Sequence, residues 1–245
     1  MDHARFRLRY QRIEPLTPGL PVKVELLLGM LDDDGRLLMP GEFIATAEQF
    51  DMMPEMDRCV VRKAMALACA PPRELADVDQ FGVNLSGQSV NDPTFLDDVI
   101  AIMRETGVDP RCLCFEITES AVISHMAQAQ NLIRTLRGFG VRFALDDFGS
   151  GLSSFGYLRA LDVDELKIDG QFVRHLAHDE VDQSMVRCIN QVGHTMGMRT
   201  VAEFVEDDAI LEQVRSLGLD YAQGHALHAA ALAPEPEPLG CAEVQ

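Results

Sequence analysis

The sequence predicts a single α/β barrel of parallel strands. Three observations lead there. Short apolar, partly β-branched runs alternate with longer helical patterns. Glycine or proline marks many of the junctions between them. Successive apolar runs carry, or run into, a polar group near one end. The 245 residues are enough to bury one large core, and no Pro/Gly/Ser-rich stretch or shift in composition divides the interior.

In chain order, strands are expected near 6–13, 22–30, 79–86, 111–118, 141–147, 163–168, 199–203 and 219–223. Helices are expected near 41–50, 54–69, 93–106, 120–138, 180–197 and 207–217. Gly107 closes the third helix ahead of Asp109-Pro110, Gly140 precedes the strand VRFALDD, and Gly218 precedes LDYAQG. There is no internal repeat. The end of the chain, APEPEPLGCAEVQ, alternates Pro and Glu with too little apolar content to pack. The folded domain is therefore expected over 1–232, with a disordered tail over 233–245.

Composition narrows the function. Hydrophobic residues make up 47% and charged residues 24%, an ordinary globular balance. No apolar run reaches the roughly 18 residues needed to cross a membrane, and MDHARFRLRY lacks a secretory apolar stretch, so a cytoplasmic protein without membrane contact is expected. The six cysteines form no CxxC pair and read as reduced thiols, with Cys112 and Cys114 buried on one strand face. A net charge of -18 argues against nucleic acid polymers. An anionic substrate then needs positive charge from elsewhere, and bound metal is the obvious source.

The polar strand ends carry the chemistry. Glu25 interrupts VELLL, Asn84 ends FGVN, Glu116 follows CLCF, and Asp146 and Asp147 end VRFAL. Lys167 follows VDEL, Glu203 ends TVA, and Gln223 follows DYA. In a parallel barrel the C-terminal strand ends converge on one face. Carboxylate and amide oxygens without cysteine or histidine suit Mg²⁺ or Mn²⁺. Asp146 and Asp147 would face opposite sides of a regular strand, but the following FGSG can bend the chain and turn both inward. Adjacent aspartates then serve two ions, an arrangement suited to in-line displacement at phosphorus. Lys167 could hold the attacking water or stabilise charge in the transition state. DFGSGLSSFGYL is not a Walker loop, since no GK[ST] follows its glycines. Glu119 lies beyond its strand end, where anchoring a loop fits better than binding metal.

The segments YQRI, VELLL, PGEFIATAEQF, FGVNLS, FEITES, DDFGSGLSSFGYL, LKID, VAEFVE and DYAQG follow one another in a familiar order over about residues 6 to 228. In that order they resemble the EAL domain family. The resemblance implies a TIM-like (β/α)8 barrel with an antiparallel first strand, hydrolysing cyclic di-GMP to linear pGpG with two Mg²⁺ or Mn²⁺ ions. It implies metal ligation by Glu25, Asn84, Glu116, Asp146 and Asp147, and catalysis by Lys167, Glu203, Asp147 and Glu25. Substrate contacts would come from Gln11, Leu28, Asn84, Gln223, Ser153 and Asp169, while Glu119 would steady loop 148–157. Homodimers are common in the family, as are longer proteins with sensory or diguanylate cyclase domains.

Three departures from the family pattern stand out. Gly29 stands where an arginine usually clamps a ligand phosphate, and Ala229-Ala230 where Arg-Pro is common. Arg12 replaces the proline of YQPI and is a candidate source of the missing positive charge. His225 and His228 lack an acidic partner that would make them a metal pair. The expected consequence is a raised KM with the chemistry intact. The alternatives are a cyclic di-GMP receptor that is weak or inactive in catalysis, and a barrel metal hydrolase acting on another phosphate ester.

Overall fold

The computed structural model describes residues 3–150 and 156–234. Ser153 and most of the expected tail lie outside the described residues. Strand β1 (Phe6–Pro15) pairs antiparallel with β2 (Val22–Leu31), in register from Phe6 opposite Met30 to Ile13 opposite Lys23. A short β3 (Leu37–Leu38) returns along β2 and leads into α1 (Pro40–Gln49) and α2 (Met53–Cys69). β4 (Val78–Leu85) is followed by α3 (Gly87–Asn91) and α4 (Phe95–Thr106), and β5 (Leu113–Thr118) by α5 (Glu119–Ser124) and α6 (Met126–Arg137). Then come β6 (Arg142–Phe148), β7 (Glu165–Ile168), α7 (Gly170–Val173) and α8 (Glu180–Thr195). β8 (Arg199–Ala202), α9 (Asp208–Ser216), β9 (Tyr221–Ala222) and β10 (Ala231–Leu232) complete the order.

Strands β2, β4, β5, β6, β7, β8 and β9 run parallel, and β1 closes the ring antiparallel to both β2 and β9. This is the expected eight-stranded barrel, with β3 and β10 outside it. The expected helix at 93–106 is preceded by a separate turn of helix. Asp92 sits before Pro93 and takes an extended conformation, because a proline ring disfavours helical backbone in the residue ahead of it. The expected helix at 120–138 divides at His125, whose φ of -133° leaves the helical range. β3, β10 and α7 are too short for periodicity to reveal them.

The apolar core lies between strands and helices, where Val83, Phe115, Phe143 and Leu166 meet residues such as Met65, Ile133 and Val186. The barrel interior holds polar side chains beside a small apolar cluster of Ile13, Val201 and Tyr221. Side chains two apart on a strand share a face, so Lys23 lies below Glu25, Glu165 below Lys167 and Tyr221 below Gln223. In the lower layer Lys23 Nζ meets Glu165 Oε1 at 2.5 Å and lies 3.8 Å over the Tyr221 ring. Gln80 Nε2 donates to the same Glu165 oxygen at 3.1 Å, and Arg142 Nη1 donates to Gln80 Oε1 at 3.0 Å. Lys23, Gln80 and Glu165 are buried and form a floor for the layer above, with Arg142 at its exposed edge. The paired cysteine reading needs correction: β5 begins at Leu113, so Cys112 falls in the preceding 3-10 turn and only Cys114 is buried.

Candidate active site

The upper layer is organised around Lys167, which is 1% exposed. Its Nζ lies 2.5 Å from Glu116 Oε2, 2.9 Å from Glu203 Oε1, 3.1 Å from Asp146 Oδ1 and 3.3 Å from Glu25 Oε2. Four strands (β2, β5, β6 and the end of β8) thus aim a carboxylate at one ammonium carried by a fifth. Glu25 also accepts from Asn84 Nδ2 at 2.6 Å and Gln223 Nε2 at 2.7 Å. The crowding depends on Gly82: a Cβ there would stand 2.0 Å from Glu116 Oε1.

Asp146 and Asp147 do both turn toward this cluster, but the cause lies at Asp147 rather than in the FGSG that follows it. Asp147 has φ of 53°, and the β6 to β7 register shifts between Leu145 and Phe148. Aspartate tolerates the left-handed region better than most residues, and the bulge defeats the strand alternation that would separate the pair. Asp146, Asp147 and Glu203 each offer an oxygen, all within 4.8 Å of one another.

The electrostatics follow from burial. Burial alone would push the Lys167 ammonium down, but Asp146, Glu116, Glu203 and Glu25 overcome it and hold it well above the lysine range. Burial would raise Glu25, yet Lys167, Gln223 and Asn84 hold it below its ordinary value. Glu116 is driven well above the carboxylate range by burial, helped by Glu25 and Asp146. Burial, with Asp146 and Glu25 beside it, pushes Glu203 up to about 8 despite Lys167. Asp147 is raised by burial, then by Asp146 and Asp169. One lysine does not neutralise five carboxylates. The all-oxygen donor set, the proximity of Asp146, Asp147 and Glu203, and the partnerless buried Gln223 Oε1 all fit hard divalent cations.

Above the cluster opens a cavity of ≈ 390 Å³ whose lining includes Arg9, Gln11, Glu25, Leu27, Glu203 and Phe204. Gln11 lies between Gln223 Nε2, from which it accepts at 3.1 Å, and the His228 carbonyl, to which it donates at 2.9 Å. Leu28 does not turn its side chain to this cavity. By strand alternation Leu27 does so, and Leu28 packs into the apolar clusters on the other face. Asp169 caps α7 by accepting from Gln171 N–H at 2.6 Å, and lines a second cavity of ≈ 480 Å³ that shares Asp147 and Phe204 with the first. Glu119 ties both described flanks of loop 148–157, accepting from Gly149 N–H at 3.0 Å and Tyr157 OH at 2.5 Å.

The departures take a different form in three dimensions. A Cβ on Gly29 would lie 2.8 Å from Leu37 Cδ1 on β3, so a side chain there would require the end of Leu37 to move. Arg12 does not replace the missing charge: it grips Asp77, just before β4, with Nη1 at 3.2 Å and Nη2 at 2.5 Å, and Glu14 at 3.0 Å. That places it toward the N-terminal end of the barrel. Arg9, on the same strand face as Gln11, lines the cavity instead, with Nη2 3.2 Å from the Ala230 carbonyl and Nη1 3.2 Å from Met39 Sδ. His228 stacks on Tyr10 at 5.4 Å and its Nδ1 accepts from Arg12 N–H at 3.5 Å. Alternation with Gln11 is the signal that points to Arg9. No sequence signal marks Phe204 beyond its place after Glu203.

Fold and site together define a (β/α)8-barrel protein with a buried acidic centre at the C-terminal ends of its strands. The EAL domain family model matches residues 1–230, and the chain belongs to that family. It is 41% identical over 221 residues to cyclic di-GMP phosphodiesterase PdeB of Shewanella oneidensis, covering 90% of this chain and 26% of that protein. Identity to cyclic di-GMP phosphodiesterase PdeA of Borreliella burgdorferi is 30% over 240 residues, covering 96% of this chain and 34% of that one. The chain therefore spans a quarter to a third of these relatives. Among solved structures it is similar to the PaMucR phosphodiesterase in complex with c-di-GMP, with TM-score 0.86 and 30% identity over 94% of this chain and 93% of that one. The FimX EAL domain of Pseudomonas aeruginosa bound to c-di-GMP also gives 0.86, at 27% identity over 93% and 91% of the two chains.

Proposed function

We propose that this chain is a metal-dependent phosphodiesterase that opens cyclic di-GMP to linear pGpG. The observation that carries the reading is the convergence of Glu25, Glu116, Asp146 and Glu203 on Lys167, with Asp147 beside them. Glu25, Asn84, Glu116, Asp146 and Asp147 would hold two Mg²⁺ or Mn²⁺ ions. When bound, such ions supply a water of lowered pKa and positive charge at the phosphate. Water adds to phosphorus, the bond to the 3′ oxygen breaks, and that oxygen takes a proton, leaving a 5′-phosphate. Lys167 donates hydrogen bonds where negative charge develops. Glu203, beside Asp146, Asp147 and Lys167, is placed to take or give a proton at the reacting phosphate. Gln11 and Gln223 orient the ligand, and Glu119 holds Gly149 and Tyr157 at either end of the segment that follows Asp147. The names of the relatives and the ligands in the solved structures support this substrate.

Incubation with cyclic di-GMP and either metal, resolved by chromatography, is expected to yield pGpG. Intact ligand with both metals would overturn the reading. A second reading, a module that binds cyclic di-GMP without cleaving it, is motivated by Gly29 and the Leu37 packing that replaces a clamp. Calorimetry showing tight binding of uncleaved ligand would favour it. A panel of other phosphodiesters tests a different substrate. The same proposal includes a cytoplasmic homodimer, and its placement within a longer protein is supported by the short share of each relative matched and by a relative named as a bifunctional diguanylate cyclase. No described helix is long and apolar enough to cross a membrane. We place the end of the folded domain close to 232, where Ala233 N–H still donates to the Leu8 carbonyl.

Arg9 is the one arginine or lysine among the residues described as lining the upper cavity. Its present partners there are a carbonyl and a thioether, so a phosphate oxygen would gain a charge-assisted bond. Arg9→Ala is expected to raise KM about ten- to a hundredfold, the range of a lost hydrogen bond to a charged group, with kcat within about twofold. Steady-state kinetics check this. An unchanged KM would remove Arg9 from ligand binding.

A further inference from the structure

Among the described residues, Asp51, Asp147 and Phe204 are the non-glycine residues with positive φ. Aspartate is at home there, but a bulky ring at φ of 53° is an outlier that the surroundings must hold in place. Burial does not repay the strain, because Phe204 is 44% exposed. The ring is nevertheless fixed from one side. The Arg174 guanidinium lies 4.2 Å from its centroid, and α7 passes so close that a Cβ on Gly170 would come within 2.2 Å of ring Cδ2. The rest of the ring lines both cavities, directly after Glu203 in the chain and beside Asp147.

A strained backbone, with a cation and a glycine of one short helix packed against one side of the ring, presents a flat apolar surface to solvent at the junction of two cavities. The group that fits such a surface is planar and aromatic. We propose that Phe204, positioned by Arg174, is a stacking platform for one nucleobase of the substrate and so determines specificity for base-bearing phosphodiesters. The inference rests on the cyclic di-GMP reading above and adds a residue to it.

Three variants test it by KM for cyclic di-GMP and by thermal unfolding. Phe204→Leu keeps an apolar side chain and removes the ring, Phe204→Tyr keeps the ring, and Phe204→Gly relieves the positive φ. Base stacking sets the expected size: the leucine and glycine variants raise KM about tenfold with kcat within about twofold, and tyrosine stays within about twofold of wild type. The glycine variant melts no lower than wild type, as expected where strain serves binding rather than folding. Where the chain binds without cleaving, the same ratios are read from Kd by calorimetry. A wild-type KM in the leucine and glycine variants overturns the platform and leaves the phosphodiesterase reading standing. A wild-type protein that neither cleaves nor binds cyclic di-GMP overturns both.

Discussion

Lys167→Met is expected to lower kcat about a hundred- to a thousandfold, the cost of losing one preorganised donor at a charged transition state. It is also expected to destabilise the metal-free fold by about 3–5 kcal/mol, as when a buried charge loses its partner. Both effects have one source. Lys167 is within ion-pair distance of Glu25, Glu116, Asp146 and Glu203, and no other cation among the described residues is (Lys23 serves Glu165 below). Methionine matches the length of the stem, so packing changes little while the charge disappears. Added Mn²⁺ should restore much of the stability and little of the turnover, because cations neutralise acids without replacing the lysine donor. The sign of the pH dependence is fixed as well. Glu203 in the metal-free fold titrates near 8 against an ordinary 4.5, so the folded state binds its proton more tightly and stability is lost as pH rises between those values. Urea unfolding at several pH values, with parallel turnover assays, reads all of these. Wild-type turnover in Lys167→Met would detach this residue from the chemistry.

Glu25→Ala is expected to cost turnover about a hundred- to a thousandfold by a different route. Glu25 is the acceptor shared by Asn84 Nδ2, Gln223 Nε2 and Lys167 Nζ. Its removal leaves buried donors unsatisfied, at about 1–3 kcal/mol for such a group, and deletes one proposed metal ligand. Relief of repulsion with Glu116 and Glu203 offsets part of the stability loss, so turnover falls much further than stability. Metal titration by calorimetry should show weakened or missing binding at one site. Retention of both metal binding and turnover would exclude Glu25 as a ligand.

Much of this centre is legible in the amino-acid sequence alone, for a physical reason. Asn84, Glu116, Asp146, Lys167, Glu203 and Gln223 each close or follow an apolar run, and a parallel barrel brings such ends together. Strand alternation also distinguishes Arg9 from Arg12, and Leu27 from Leu28, because a shift of one residue reverses the face. The antiparallel first strand rests on family resemblance, since period-two patterning does not report strand direction. The lower layer is hidden from such reasoning: Lys23, Gln80 and Glu165 read as ordinary surface polarity until the barrel closes and buries them together. The inward turn of Asp147 and the placement of Phe204 depend on positive φ at non-glycine residues, which composition does not announce.

Two divalent ions held by Glu25, Asn84, Glu116, Asp146 and Asp147 are proposed to be required for cyclic di-GMP cleavage. The most direct measurement is to strip the protein with EDTA and titrate Mn²⁺ back, following bound metal and pGpG formation on the same sample. Turnover should be absent in the stripped protein and reach its plateau as the second equivalent binds. Turnover that survives EDTA, or saturation at two equivalents without any pGpG, would contradict it.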